Sequence, residues 1–201
     1  SNANYHLAIS IMSDSDLKQL NFPQTISDSS IKGIILVEIC DKVVCDALSQ
    51  FNLPIVSVDM PNVPFEELNG IDVVTMESKK NLKKIINQLI EKGAESFGFV
   101  GDLYSPNVSR GFQERYNALS ECLAEHQLPL NQKNCLLHQT PEDFRNFQTT
   151  VNNLQAMISL PDVFICGNDW TAIQLIYALQ FLGFQIPKDL SLIHISEPRR
   201  P

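Results

Sequence analysis

The stretch Pro161-Asp162-Val163-Phe164-Ile165-Cys166-Gly167-Asn168-Asp169-Trp170-Thr171-Ala172 changes its hydrophobic period part-way along. Val163 to Cys166 is an uninterrupted apolar run, the pattern of a strand buried on both faces. Gly167 and Asn168 break it. Asp169 reads as the cap of a helical pattern over 169–182 that stops at Gly183, with Pro187 beyond. A buried strand leading directly into a covering helix is one half of a βαβ unit, which builds parallel sheets.

The same alternation extends in both directions. Strand candidates are Tyr5 to Ile11, Gly33 to Glu38, Ile55 to Asp59, Asp72 to Thr75, Ser96 to Gly101, Cys135 to His138, Val163 to Cys166 and Leu190 to Ile195. Amphipathic stripes mark helices over 41–51 (Val43, Val44, Ala47, Leu48), 77–92 (Leu82, Ile85, Ile86, Leu89, Ile90, ending at Gly93) and 108–126 (Phe112, Tyr116, Leu119, Leu123). The class is α/β, a parallel sheet covered on both faces, arranged as one large sheet or as two smaller lobes. Met60 to Ile71, with Pro61, Pro64 and Gly70, reads as a loop crossing between units.

The 201 residues are 44% hydrophobic and 19% charged, enough for one sizeable core or two smaller ones. A net charge of −8 argues against this stretch gripping a phosphate backbone, which needs clustered Lys and Arg, so any DNA-binding part is expected elsewhere. No apolar run approaches the roughly 18 residues of a membrane span. Five cysteines, an odd number mostly inside apolar runs, fit free thiols in a reducing compartment and a cytoplasmic location. Ser1-Asn2-Ala3 resembles the scar of a cleaved tag, and the tail 194–201, ending Glu197-Pro198-Arg199-Arg200-Pro201, is atypical of the fold.

Catalytic signatures are absent: no GxSxG, HExxH, GK[ST] phosphate loop or GxGxxG. Gly98-Phe99-Val100-Gly101 reads as a strand whose glycines permit tight packing. Cys40 with Cys45, and the scattered His6, His126, His138 and His194, lack metal-ligand spacing. Lys79, Lys80, Lys83 and Lys84 share one helix face and read as a solvated surface. The reading is a binding module without catalysis, metal or cofactor.

Polar residues cluster at the carboxyl ends of the strand candidates, where ligands of open α/β sheets bind. Asp59, Asp102, Asn168 and Asp169 hold such positions, although each alone also suits a helix cap. By helical angle Arg110 lies about 160° from Phe112 and is expected to face solvent, whereas Arg115 lies about 60° off the apolar stripe. Arg115 is therefore the candidate cleft arginine, its forked N–H donors suiting vicinal hydroxyls or a carboxylate, with a structural ion pair as the alternative. Trp170 suits either stacking on a sugar ring or packing between lobes.

The ordered blocks Ile31-Lys32-Gly33-Ile34-Ile35-Leu36, Leu53-Pro54-Ile55-Val56-Ser57-Val58-Asp59, Val74-Thr75-Met76-Glu77-Ser78, Leu89-Ile90-Glu91-Lys92-Gly93 and Phe97-Gly98-Phe99-Val100-Gly101 resemble the lactose/galactose-repressor family of transcription regulators. Glu114-Arg115-Tyr116-Asn117-Ala118-Leu119 resembles that family's R-x-x-G-F helix, and Pro161 to Ala172 with Ile186-Pro187-Lys188-Asp189-Leu190-Ser191 its most recognisable stretch.

The resemblance spans about residues 5–193. It implies a periplasmic-binding-protein-like fold of two Rossmann-like lobes, an N-terminal one over 4–76, incomplete, and a C-terminal one over 77–193. It further implies an effector, a sugar or derivative, between them, and a homodimer made through lobe surfaces. The positions matching Asp59, Arg115 and Asn168 are effector-binding in that family, and Asp169 and Trp170 match adjacent ones. The family's helix-turn-helix DNA reader precedes this domain. The first strand and helix, and the return strands of the first lobe, are expected outside this sequence. Ala118 replaces the usual glycine, and a family effector-binding aspartate falls on Ser196. A solute-binding protein of a sugar transport system is the alternative with the same fold.

Overall fold

The computed structural model describes residues 6–103, 109–138 and 146–194. It contains two separate parallel sheets. The first has the order β1-β2-β3, from β1 (Ile34–Val37), β2 (Ile55–Val58) and β3 (Ile71–Val74). The second has the order β5-β4-β6-β7, from β4 (Phe97–Asp102), β5 (Leu136–His138), β6 (Val163–Cys166) and β7 (Ser191–His194). Two lobes, not one large sheet, are what the sequence builds. Among the described residues the α-helices are α1 (Asp14–Gln19), α2 (Lys42–Ser49), α3 (Lys79–Glu91), α4 (Arg110–Glu125), α5 (Phe147–Gln155) and α6 (Asp169–Phe181).

In the second lobe the two-residue period of the strands sorts the core into two faces. Phe97, Phe99, Val163 and Ile165 pack under α3 and α4 with Leu82, Ile86, Ala118, Leu119, Cys122 and Leu123. Val100, Phe164 and Cys166 point the other way, onto Val151 and Leu154 of α5 and Ala172, Leu175, Ala178 and Leu179 of α6. The two helical layers differ in chemistry. On α3 and α4, Lys79 and Lys83 bridge to Glu121, and Lys83 also to Glu125, at 2.9–3.0 Å. From Asn146 to Pro187 the only charged residues are Asp162 and Asp169.

Close approach in this lobe depends on missing side chains. A Cβ on Gly101 would stand 2.8 Å from the ring of Phe112, and one on Gly167 would overlap that ring. The Phe112 ring, in the first turn of α4, thus seats against the ends of β4 and β6 and fixes how near that helix comes to the strand tips.

The first sheet is covered on one face only among the described residues, against the expectation of two covered faces. Leu36, Ile55 and Ile71 pack on Val44, Cys45 and Leu48 of α2, with Leu17, Phe22 and Ile26 from the α1 region at the margin. Ile35, Val37, Val58 and Val74, on the opposite face, are exposed. The strand expected over Tyr5 to Ile11 does not form in its described part: residues 6–13 pair with no strand, and Leu7, Ile9 and Ile11 are exposed. Alternation supplies a strand's face, but only a neighbouring ladder satisfies its backbone.

Two helices carried weaker sequence signals and were not expected. The helix α1 opens on a capping box, with Ser13 accepting from Asp16 N–H and Asp16 accepting from Ser13 N–H. The helix α5 holds Thr149, Thr150, Val151, Asn152 and Asn153, poor helix formers. Burial of Thr150, Val151 and Leu154 and the Asn146 cap stabilise it instead.

Replacing Gly167 with alanine drives Phe112 off the strand ends. The expected result in urea denaturation is a loss of about 1–3 kcal/mol, as for an overpacked core, with the α4 signals the first to shift by NMR.

Candidate functional site

Parallel pairing aligns the strand tips. In the first lobe β2 ends at Val58, and Asp59 turns the chain with φ of 75°, a left-handed conformation that Asp tolerates better than most residues. That turn drives Met60 into the core, where it is fully buried, and leaves the carboxylate at the strand tip. Asp59 Oδ1 accepts from Met60 N–H at 2.8 Å, and Oδ2 accepts from the Ser109 hydroxyl at 2.5 Å. Ser109 belongs to the second lobe, so Asp59 already touches both.

Arg115 lies one turn into α4, its guanidinium against Gly111, where a Cβ would sit 2.9 Å from a terminal nitrogen. Its Nε–H is buried with no hydrogen-bond partner. Burial pulls the pKa of the guanidinium down, opposed by the carboxylates of Asp59, Glu114 and Asp169. The ion pair considered as an alternative for Arg115 goes to its neighbour, because Glu114 pairs with Arg110 at 2.8 Å.

Asn168 is the N-cap of α6, accepting from Thr171 N–H at 2.9 Å, while the Thr171 side chain receives Asn168 N–H in return. This corrects the expectation that Asp169 caps the helix. Asp169 instead occupies the first helical position, where its charge offsets the positive helix end. Asp102 is buried, as the last residue of β4. Trp170 is half exposed in line with Ile173, Tyr177 and Phe181, along the outer face of α6.

Three residues near this site escaped sequence reading. Ser109 stands at the start of the 108–126 helical pattern, where nothing in the local period marks a distant partner. Cys40 sits close enough to Asp59 and Ser109 to be influenced by both, and burial, with Asp59, Cys45 and Glu38 nearby, pushes its thiol up to about 12. Arg110 does not face open solvent as expected: it donates to the Val63 carbonyl at 3.0 Å and lies 4.4 Å over the ring of Phe65. A helical-wheel angle describes one helix and is blind to a loop arriving from another lobe. The position Ser196 lies outside the described residues.

Residues 86–198 match the family model of the periplasmic binding protein-like domain. The chain belongs to that family. It is 28% identical over 200 residues to catabolite control protein A of Staphylococcus xylosus, covering 97% of this chain and 56% of that protein. It thus spans about half the length of the curated relatives it matches. Among solved structures it superposes on the transcription regulator CcpA of Lactococcus lactis with a TM-score of 0.70, at 15% identity, covering 91% of this chain and 63% of that one. It also superposes on a periplasmic binding protein/LacI transcriptional regulator of Alkaliphilus metalliredigens QYMF complexed with D-xylulofuranose (TM-score 0.61, 16% identity, 92% and 62% covered). These findings bear out the resemblance to lactose/galactose-repressor effector domains drawn from the motif order. Among the described residues, no helix is long and apolar enough to cross a membrane, and no group of His, Cys, Asp and Glu is arranged to hold a metal ion.

The reassigned cap is testable by circular dichroism during thermal unfolding. Asn168→Ala should cost about 1 kcal/mol, the usual loss for an N-cap, and Asp169→Ala distinctly less.

Proposed function

We propose that this chain senses a small polar ligand, a sugar or sugar derivative, between its two lobes, and thereby controls a DNA-binding segment outside it. The observation that carries this reading is Arg115: a partly buried charged group whose Nε–H is buried without a partner, within electrostatic reach of acids from both lobes. Leaving such a donor unsatisfied is costly, and a ligand oxygen would satisfy it. Asp59 supplies an acceptor from the first lobe and Asn168 an amide from the second, with Asp102 and Asp169 at the neighbouring strand ends. The sugar bound in the Alkaliphilus structure shows what chemistry this fold accommodates in one case.

A ligand gripping Asp59 on one side and Arg115 with Asn168 on the other favours one interlobe angle. In a homodimer that angle sets the separation of two DNA-reading segments, a coupling typically worth 1–3 kcal/mol. The surface that suits a second copy is the outer side of α5 and α6. Phe147, Trp170, Ile173, Tyr177 and Phe181 are exposed there, and Phe147 and Phe181 meet edge to face at 6.0 Å. On a chain of charge −8, this nearly neutral face is where two copies meet with least repulsion. Trp170 belongs with it. A cytoplasmic location is part of the same proposal.

Titration calorimetry over a panel of pentoses, hexoses, their phosphates and nucleosides should give binding that Arg115→Ala weakens by about tenfold or more, the loss of a charged hydrogen bond. Binding by no compound, or unchanged binding by Arg115→Ala, contradicts the assignment. For the dimer, sedimentation velocity should show self-association that Tyr177→Glu abolishes while the circular dichroism spectrum is retained.

A further inference from the structure

The two lobes touch at a corner beside the proposed ligand site, which shares Asp59 with it. The loop after β2 and the start of α4 run alongside each other, with Pro61 and Ser109 forming an isolated antiparallel bridge. Arg110 N–H donates to the Met60 carbonyl at 3.0 Å. The Arg110 guanidinium reaches on to the Val63 carbonyl at 3.0 Å and stacks at 4.4 Å on Phe65, while Glu114 at 2.8 Å holds it from behind. The Ser109 hydroxyl completes the contact on Asp59 at 2.5 Å.

We propose that Ser109 and Arg110 form a latch that closes the lobes on each other without a ligand. Four features support it. The contact joins residues 59–65 of one lobe to 109–114 of the other, far apart in sequence, through backbone, hydroxyl, guanidinium and ring at once. Both sides are anchored: Met60 is fully buried in the first core, and Phe112 is buried in the second. The covalent crossing at 75–78 is a short segment outside any helix or strand, so it joins the lobes without setting their angle. Two of the donor contacts of Arg110, to the Val63 and Met60 carbonyls, are with groups of the first lobe that cannot follow it if the lobes part, while its bond to Glu114 stays within α4.

The latch deepens the proposed ligand site in one respect that rests on that reading. Ser109 takes one acceptor site of the carboxylate that a ligand hydroxyl is proposed to use, so an effector shares that carboxylate with it or displaces it. Closure is then held by contacts within the chain itself, which a ligand adds to or replaces.

The test needs no ligand, so it succeeds or fails apart from the sugar assignment. Amide hydrogen exchange is followed by NMR on the unaltered chain and on Arg110→Gln and Phe65→Ala; Phe65 is half exposed, so its loss leaves the core intact. In the unaltered chain the amide of residue 110 should exchange slowly, being bonded across the corner. In both variants it should exchange about tenfold faster, as a local opening no longer held. The amides of Phe99 and Leu119 should keep their protection, and the radius of gyration from solution scattering should rise. Fast exchange at residue 110 in the unaltered chain, or equal protection in all three proteins, overturns the latch.

Discussion

Parallel strand pairing is the constraint from which the rest follows. In a parallel ladder every carboxyl end points the same way, so whatever terminates one strand stands beside whatever terminates its neighbour. Pairing Val100 with Cys166 brings Asp102 and Asn168 to one edge of the second sheet. Pairing Val58 with Val74 leaves Asp59 at the matching edge of the first, its N–H held by the Val74 carbonyl at 3.1 Å. No single long-range contact has to be specified for these polar groups to gather. The sheets deliver them, and each strand needs only to be apolar along its length and polar at its tip.

Delivery alone does not make a site, because Arg115 comes from a helix. Its position follows from packing: Gly101 and Gly167 let the Phe112 ring settle on the strand ends, and Arg115 follows three residues later on the same helix. Gly111 then leaves the space into which the guanidinium folds. Three small residues thus place one large cation where water is largely excluded. An arginine remains charged there despite its lowered pKa, since its ordinary value lies so far above neutral. Its partial burial therefore costs stability that nearby acids offset only in part, with the Nε–H left without a partner.

Strands, lobes and the strand-tip residues were legible in the sequence because they depend on local period and on the order of blocks. Val163 to Cys166 has the bounds read from its apolar run, and the helix after it ends as Gly183 and Pro187 signal. What stayed hidden depends on partners. Residues 6–13 carry a strand's alternation without a ladder to join, and α5 carries β-branched Thr149, Thr150 and Val151 beside two asparagines yet is helical because three of its side chains are buried. The cap moved from Asp169 to Asn168 because a cap is chosen by backbone geometry, and both residues suit it chemically. The contacts of Arg110 and Ser109 are hidden from the sequence for the same reason: their partners lie some fifty residues away.

The chemical difference between the two helical layers of the second lobe bears on how such a domain transmits a change of angle. The α3 and α4 layer is tied by exposed ion pairs, which are individually weak and screened by salt. It adjusts at little cost and carries the residues that face the first lobe. The α5 and α6 layer is apolar and almost without charge, and surfaces of that kind bury well but tolerate no ionic mismatch. The adaptable layer and the apolar one thus lie on opposite faces of one sheet. Leu175 and Leu179 hold the apolar layer to the sheet, so a shift at the start of α4, where Arg110 and Arg115 stand, leaves that layer in place.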